Sequence, residues 1–368
     1  MKVLITGHKG FIGKNLVVRL GELPGFDFLC FDCDDSLESL QDNVNEADAV
    51  VHLAGINRPK DVSEFSVGNA DLTAMLCAII KATGRHIPLI LASSIQAELA
   101  NPYGQSKRAA EQAVEQLCAE TGNPAVIYRL PNVFGKWCKP NYNSVVATFC
   151  HNIANDLPIQ VNDPATQLKL VYVDDVIETF LHALDNPVQG LQWGTVDPIY
   201  GIGLGDLAAQ IEAFKNCRTS LVSERVGTGL ARALYATYVS YLPPAKFAYD
   251  LPRYGDDRGV FVEMLKTPDC GQFSFFTAHP GITRGGHYHH TKTEKFLVIK
   301  GTARFGFRHV ITNETYEVLT SGDAPRVVET VPGWTHDITN IGNDEMIVML
   351  WANEIFDRTR PDTFACVV

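Results

Sequence analysis

The chain is short of the features that mark a membrane or nucleic-acid protein. No stretch approaches the roughly 18 consecutive apolar residues needed to cross a bilayer. Basic residues are outnumbered, 31 Lys and Arg against 42 Asp and Glu, for a formal net charge of -11 at pH 7. With a pI near 5.5 that balance argues against binding a phosphate backbone, while leaving room for a local basic pocket that holds a diphosphate. Neither nucleic acid nor membrane insertion is expected. The opening MKVLITG has no charged leader followed by an apolar run, so no signal peptide is expected and the cytoplasm is the expected compartment. The nine cysteines are scattered and odd in number, which suits reduced thiols, and the single pair Cys30-x-x-Cys33 has no second pair to complete a metal or redox motif. Low-complexity tracts are missing too. A content of 46% hydrophobic and 20% charged residues over 368 positions is enough for two domains, each with its own core.

The most informative stretch is GITRGGHYHHTKTEKFLVIKG, Gly281 to Gly301. His287 and His289 are two apart, so an extended strand sends both imidazoles to one face, where neutral nitrogens can reach a single cation. A short polar turn separates them from Glu294, whose carboxylate would come from the next strand. Downstream, VPGWTHDITN supplies His336. Two His, a Glu and a third His form a donor set for zinc or another first-row ion, with a position left for water or substrate. The spacings Gly281, His287-x-His289, Glu294, Gly301 and Pro332-Gly333, His336, Asn340 resemble the two cupin motifs. Some cupin-like sugar epimerases work without metal, through a His and a Tyr, and Tyr288 and His290 keep that option open.

The amino-terminal half reads differently. Val3 to Thr6 is a buried strand, followed by Gly7-His8-Lys9-Gly10-Phe11-Ile12-Gly13 and a helical pattern from Lys14 to Leu20. A strand, a glycine turn and a helix form a phosphate-binding unit, with Lys9, Phe11 and Ile12 in the turn beside the three glycines. The second strand, Phe28 to Phe31, ends at Asp32. An acid there accepts hydrogen bonds from the ribose of NAD and repels the extra phosphate of NADP. Ala49 to Leu53 is a third strand leading into Ala54-Gly55, Leu72 to Ala82 a helix, and Leu89 to Ala92 a fourth strand ending at Ser93 and Ser94. This alternation predicts an α/β doubly wound parallel sheet of the Rossmann type, with ligands at the carboxyl ends of the strands.

Asn101-Pro102 then caps and opens a helix running to about Thr121, which places Tyr103 and Lys107 one turn apart on one face. An ammonium beside a phenol lowers the phenol's pKa, so Tyr103 can give a proton to a carbonyl oxygen as hydride arrives, with Ser94 as a second donor and Lys107 also holding the cofactor ribose. These residues resemble the extended short-chain dehydrogenase/reductase superfamily over roughly residues 1 to 240. The match includes Arg129 to Gly135, where the superfamily's Asn, here Asn132, typically meets substrate, and Leu170 to Val176. Asp174 and Asp175 read as a helix cap. Only nine positions separate Ser94 from Tyr103, a shorter loop than in many relatives.

Leu242-Pro243-Pro244-Ala245 is the expected linker, dividing an NAD(P)-binding reductase domain at 1–243 from an all-β cupin jelly-roll barrel with a metal site at 244–368. Short β-rich runs follow it: Gly259 to Leu265, Gln272 to Thr277, Phe296 to Ile299, Ala303 to Val310, Glu317 to Leu319 and Met346 to Trp351. Asp257 to Glu263 resembles the entry segment of cupin-type deoxysugar epimerases, whose Arg, here Arg258, usually meets the nucleotide diphosphate.

A reductase of this kind fused to a cupin resembles the bifunctional CapF/WbjC family of bacterial capsule and O-antigen synthesis, as do the segments Gly135 to Ser144 and Gly286 to Lys292. The resemblance implies a UDP-linked 4-keto-6-deoxy-N-acetylhexosamine substrate on the path to UDP-N-acetyl-L-fucosamine, epimerised at C3 by the cupin and reduced at C4 with NADPH. It also implies a homodimer. Asp32 argues locally for NADH. Two other readings stay open: a reductase whose cupin only binds sugar or dimerises, and a redox or sugar-nucleotide sensor, against which the complete Ser94, Tyr103, Lys107 set stands.

Overall fold

The computed structural model describes residues 1–59 and 61–368. The chain forms two compact units, Met1–Ile211 with Arg232–Pro243, and Glu212–Ala231 with Pro244–Val368. The excursion Glu212–Ala231 is one that a single cut at residue 243 does not anticipate.

The first unit alternates β1 (Lys2–Thr6), α1 (Phe11–Gly21), β2 (Asp27–Phe31), α2 (Leu37–Glu46), β3 (Ala49–His52), α3 (Leu72–Ala82), β4 (Leu89–Ser94), α4 (Pro102–Thr121) and β5 (Ala125–Leu130). There follow β6 (Asn132–Phe134), α5 (Val145–Ala154), β7 (Gln167–Tyr172), α6 (Val173–Asp185), β8 (Leu191–Gly194), β9 (Tyr200–Gly203), α7 (Leu204–Ser220) and α8 (Gly229–Val239). The main sheet has the order β2-β1-β3-β4-β5-β8 and every pairing in it is parallel. A smaller sheet, β6-β7-β9, lies apart from it.

Strand alternation explains why both faces of the main sheet carry helices. Val3, Ile5 and Val51 point to one side and pack with Leu16 and Leu20 of α1 and Val176 and Phe180 of α6. Leu4, Val50 and Leu91 point to the other, against Leu40 of α2, Leu76 and Ile80 of α3, and Val114 and Leu117 of α4. Each such side chain contributes about 1.5–3 kcal/mol relative to exposure. The strand order reverses at β1, which puts the glycine turn after β1 at the switch point, where doubly wound sheets bind ligands.

From Tyr254 onward the second unit is all-β: β10 (Tyr254–Asp256), β11 (Gly259–Thr267), β12 (Gly271–Ala278), β13 (Thr283–Tyr288), β14 (Glu294–Lys300), β15 (Thr302–His309), β16 (Thr315–Ser321), β17 (Val327–Glu329), β18 (Trp334–Asn340), β19 (Met346–Ala352) and β20 (Phe364–Ala365). Two antiparallel sheets result, β10-β11-β12-β19-β14-β17 and β16-β15-β18-β13-β20. Their inward residues, among them Phe276, Phe296, Val298, Phe305, Ile338 and Val348, make one core.

The register of β13 decides what faces that interior. Arg284 pairs with Ile338 and Gly285 with Asp337, but the register then slips by one, so His287 pairs with His336. Arg284 and His287 are three apart, yet this bulge turns both inward beside Ile338 and His336.

Candidate active site and metal centre

The glycine turn is built by close approach. Gly7 has φ +72°, and a Cβ there would lie 2.7 Å from the Ala54 nitrogen. A Cβ on Gly13 would meet the Gly7 carbonyl oxygen at 2.3 Å, so only glycine lets α1 start directly over the turn. Gly10 is the N-cap of α1 and has no side-chain cap bond, leaving the amides at the start of the helix, around Phe11 and Ile12, to be met by an anion. On that observation a dinucleotide's pyrophosphate fits. Leu53 and Ala54 continue from β3 alongside, tied to Thr6 through its backbone carbonyl at 3.1 Å and its hydroxyl at 3.3 Å.

Asp32 sits where expected, at the end of β2, but its carboxylate is already engaged. It accepts from the Lys9 amide at 3.0 Å and the Cys33 amide at 2.9 Å. Burial pushes its pKa up, and those amide bonds outweigh burial and hold it below the usual value. The Lys9 ammonium reaches outward to Asp34 at 2.8 Å.

Ser94, Tyr103 and Lys107 come together at the carboxyl end of β4. Asn101 accepts from the Gly104 amide at 2.8 Å and Pro102 opens α4, so the cap fixes where Tyr103 starts the helix. Ser94 hydrogen-bonds the Tyr103 phenol, and Phe65 packs on the Tyr103 ring at 5.6 Å. One expectation is corrected. Burial pushes the Tyr103 phenol up, with the Ser94 bond only partly opposing it, and Lys107 does not bring it down. The Lys107 ammonium is directed at the Ala92 carbonyl, 3.4 Å away, and burial lowers its pKa to about 8 against the opposing pull of Glu111.

Several residues around this site carry no signal in the sequence pattern. Asn69, in the π-helical turn Ser66–Asp71, gives its amide to the Ser106 hydroxyl at 2.9 Å and to the Ile56 carbonyl at 3.1 Å, and accepts from the Ile56 amide at 2.9 Å. It holds Gly55 and its loop against α4, next to Lys107. Under it, Thr73 donates to the Asn69 carbonyl, so Thr73 accepts from Nε2 of His52 and Nδ1 of His52 accepts from Thr6. Burial first, and Lys107 second, lower that imidazole's pKa to about 3. Glu111, with no exposed side-chain surface, collects Ser93 at 2.6 Å, Arg129 at 2.7 and 2.8 Å and Arg108 at 3.0 Å, and so braces β4 and β5 against α4. Asn132 lies exposed at the start of β6 and donates to the Lys169 carbonyl at 3.3 Å. Asp174 pairs with Lys136 at 2.5 Å in the first turn of α6.

In the second unit, His287, His289, Glu294 and His336 converge, their potential donor atoms all within 4.8 Å of one another. His287 and His336 face each other across β13 and β18, while Glu294 opens β14 in the other sheet. His289, Glu294 and His336 are buried. Both ring nitrogens of His336 are buried without a hydrogen-bond partner, and Glu294 Oε2 stands 3.5 Å from its Nε2. A buried imidazole with nothing to bond is costly unless an ion takes its lone pair. Burial, then the neighbouring His336 and His289, lowers the His287 pKa to about 4, so it offers a neutral nitrogen. Burial alone would raise Glu294, but the adjacent His289 and His336 rings and the Lys292 ammonium at 2.9 Å hold it strongly ionised. Three imidazoles and one carboxylate suit a first-row divalent cation.

Arg258 lies at the rim, exposed, with its guanidinium on Asp256 at 2.5 Å. Arg284 was not legible as a partner. It is half-buried, its Nε has no hydrogen-bond partner, its guanidinium lies 5.2 Å from the centre of the Phe276 ring, and Arg258 and burial both depress its pKa. A guanidinium suits two-pronged bonding of a carboxylate or phosphate.

Among the described residues no helix is long and apolar enough to cross a membrane. Residues 3–203 match the NAD dependent epimerase/dehydratase family, and residues 254–364 match the polysaccharide biosynthesis C-terminal domain. The chain is 56% identical over 368 residues to UDP-2-acetamido-2,6-beta-L-arabino-hexul-4-ose reductase of Pseudomonas aeruginosa strain PA103, covering 100% of this chain and 99% of that one. The crystal structure of the capsular polysaccharide assembling protein CapF of Staphylococcus aureus superimposes with a TM-score of 0.92 at 42% identity, over 100% of both chains. Thermus thermophilus UDP-glucose 4-epimerase in complex with NAD, at 20% identity and TM-score 0.54 over 66% of this chain and 99% of that one, shares the fold of the first unit.

Proposed function

This chain belongs to the CapF-like family of capsular polysaccharide proteins, with an NAD dependent epimerase/dehydratase domain ahead of a polysaccharide biosynthesis C-terminal domain, and from that membership we propose a two-step nucleotide-sugar enzyme. The second unit, a cupin barrel, epimerises C3 of a UDP-2-acetamido-2,6-dideoxy-4-ketohexose. The first unit then reduces the C4 ketone to give UDP-2-acetamido-2,6-dideoxy-L-talose, on the way to UDP-N-acetyl-L-fucosamine. The observation that carries the reduction is Tyr103, bonded to Ser94 at the carboxyl end of β4, with the buried Lys107 one helical turn on.

The order follows from chemistry. A ketone at C4 acidifies the C3 hydrogen, so exchange at C3 must come before reduction, which removes the ketone and locks the configuration. At the reductase site the Ser94 and Tyr103 hydroxyls hold the C4 oxygen and Tyr103 gives it a proton. The reduced nicotinamide, when bound, supplies the hydride. NADPH is the expected reductant and NADH the alternative, to be decided by their KM values. In the cupin unit Arg284, with Arg258 at the rim, meets the diphosphate. His287, His289, Glu294 and His336 would hold a zinc ion, which when bound polarises the keto oxygen.

Incubation with the 4-ketosugar nucleotide in deuterated water, with and without NADPH, tests the whole reading. Deuterium is expected at C3 without cofactor, and reduction at C4 only with it. Reduction without any C3 exchange would leave a reductase and reassign the second unit to sugar binding or assembly.

A further inference from the structure

The segment that follows β19 has no part in the steps above, yet it comes back over the imidazoles. β20 pairs with β13 so that Ala365 lies opposite His287 and Phe364 opposite Tyr288. The Cys366 amide donates to the Gly286 carbonyl at 2.9 Å, and Thr335, next to His336, donates to the Cys366 carbonyl. Asp362, just ahead of β20, then makes two different attachments.

The first is to a ring. The Asp362 backbone carbonyl lies 2.5 Å from Nδ1 of His289. A carbonyl can only accept, so Nδ1 carries a proton, and in the neutral ring Nε2 then keeps its lone pair, on the side where Glu294 Oε2 stands at 3.3 Å. The second attachment is to the loop that leaves His289. The Asp362 carboxylate accepts from the amides of His290 at 2.9 Å, Thr291 at 2.7 Å and Lys292 at 2.8 Å, and from the Thr291 hydroxyl at 3.0 Å. Three successive amides converging on one anion make a nest, and charge-assisted bonds of this kind are stronger than neutral ones. The same loop delivers Lys292 to Glu294. One residue therefore fixes the tautomer of one member of the donor set and the backbone between two of them.

We infer that Asp362 is the positioning residue of the metal centre, holding His289 as the Nδ1–H tautomer through its carbonyl and the His290–Lys292 loop through its carboxylate. This rests on the metal reading proposed above. Asp362 does not face the ion, so its effect is on how tightly and in what geometry the donor set binds.

The test uses the full-length protein stripped with a chelator and titrated with cobalt(II), whose visible absorption reports coordination geometry. Wild type is expected to take up cobalt at one ion per chain. Asp362→Asn keeps the shape and the backbone carbonyl but turns an amide donor toward amide donors. It should bind cobalt roughly 10–100-fold more weakly, with an altered spectrum. Asp362→Glu restores the anion and should recover most of the affinity. Asp357→Asn, in the same segment but bonded only to neighbouring residues such as Thr359, should leave both readouts unchanged. Wild-type affinity and spectrum in Asp362→Asn would overturn the inference, as would equal losses in the Asn and Glu variants. Failure of wild type to bind cobalt or zinc would instead remove the metal reading on which it rests. If Asp362→Asn does not fold, the ring nitrogen shifts of His289 in zinc-loaded, nitrogen-15-histidine-labelled wild type carry the test. They should report Nδ1–H, and an Nε2–H ring would refute the assignment.

Discussion

The two sites solve opposite electrostatic problems. At the end of β4 a cation, Lys107, is buried, and burial brings its pKa down to about 8 against the pull of Glu111. Between β13, β14 and β18 an anion, Glu294, is buried among imidazoles and an ammonium that keep it ionised. The first arrangement keeps a proton close to release. The second fixes a negative charge beside three imidazoles, and neither ring nitrogen of His336 has a hydrogen-bond partner. A site that moves protons needs a group near its titration point, whereas a site that holds a cation needs donors that do not titrate in the working range.

The comparison breaks most sharply if one substitution silences both activities. Tyr103→Phe should lower C4 reduction by about 10²–10⁴-fold, the usual worth of a positioned proton donor, while C3 exchange in deuterated water continues unchanged. Reduction at the wild-type rate would remove Tyr103 from the mechanism. Stripping the metal, or replacing His336 with Ala, should do the reverse. C3 exchange should fall on the order of 10²-fold, about 2.7 kcal/mol of lost charge stabilisation, with the far-UV circular dichroism intact. Coincident loss of the all-β signal would make the ion structural.

Gly13→Ala comes next in size. Its Cβ would stand 2.3 Å from the Gly7 carbonyl, backbone against backbone, so α1 or the turn must shift. Overpacking of this kind costs about 1–3 kcal/mol. Dinucleotide affinity measured by nicotinamide fluorescence should drop about tenfold or more, and cobalt binding by the second unit should not change.

The first unit was more legible than the second for a topological reason. Ser94, Tyr103 and Lys107 lie within 14 positions, and a strand end plus a capped helix is enough to bring them together. The residues supporting them were not legible, because Asn69 and Glu111 act through contacts that no local period encodes. In the second unit His287, His289, Glu294 and His336 could be read from spacing, since strands alternate. Arg284 could not, because the bulge at Gly285–His287 reverses the facing that alternation assigns. Asp362 lies more distant still. Its partners are the amides of a loop 70 to 72 positions earlier, and a backbone amide leaves no trace in sequence. The error over Tyr103 was one of direction. Helical spacing sets Lys107 on the same face, but not where its ammonium points.

A smaller effect separates the sites by pH. Above about 8 Lys107 loses its proton, so reduction should fall with a single-proton slope, while cobalt affinity of the second unit should show no transition there. The same shift has a stability consequence. Folded Lys107 releases its proton near 8 and the unfolded side chain near 10.5, so between those values the unfolded chain binds more protons. This group's contribution to stability is therefore lost as pH falls through that window. Lys107→Arg, which stays charged, should flatten the alkaline limb of the rate profile. An unchanged limb would assign it to another group.

The smallest expected effect is at Asp32. An acid at the end of β2 would ordinarily set preference for NADH, by bonding the ribose and repelling the 2′-phosphate. Here both carboxylate oxygens hold the chain itself, at the Lys9 and Cys33 amides. A carboxylate already satisfied by the turn has less to offer a ribose, and its charge is partly spent on those amides. Asp32→Asn should therefore change the ratio of kcat/KM for NADH and NADPH by only about tenfold or less, on the scale of one exposed charge–charge interaction. Its more visible effect should be on both cofactors together, because Asn keeps only one acceptor oxygen for the Lys9 and Cys33 amides and the glycine turn loosens. A change of several hundredfold in the ratio, with binding of the favoured cofactor untouched, would show that Asp32 reads the ribose directly and that its bonds to the turn give way when the dinucleotide enters.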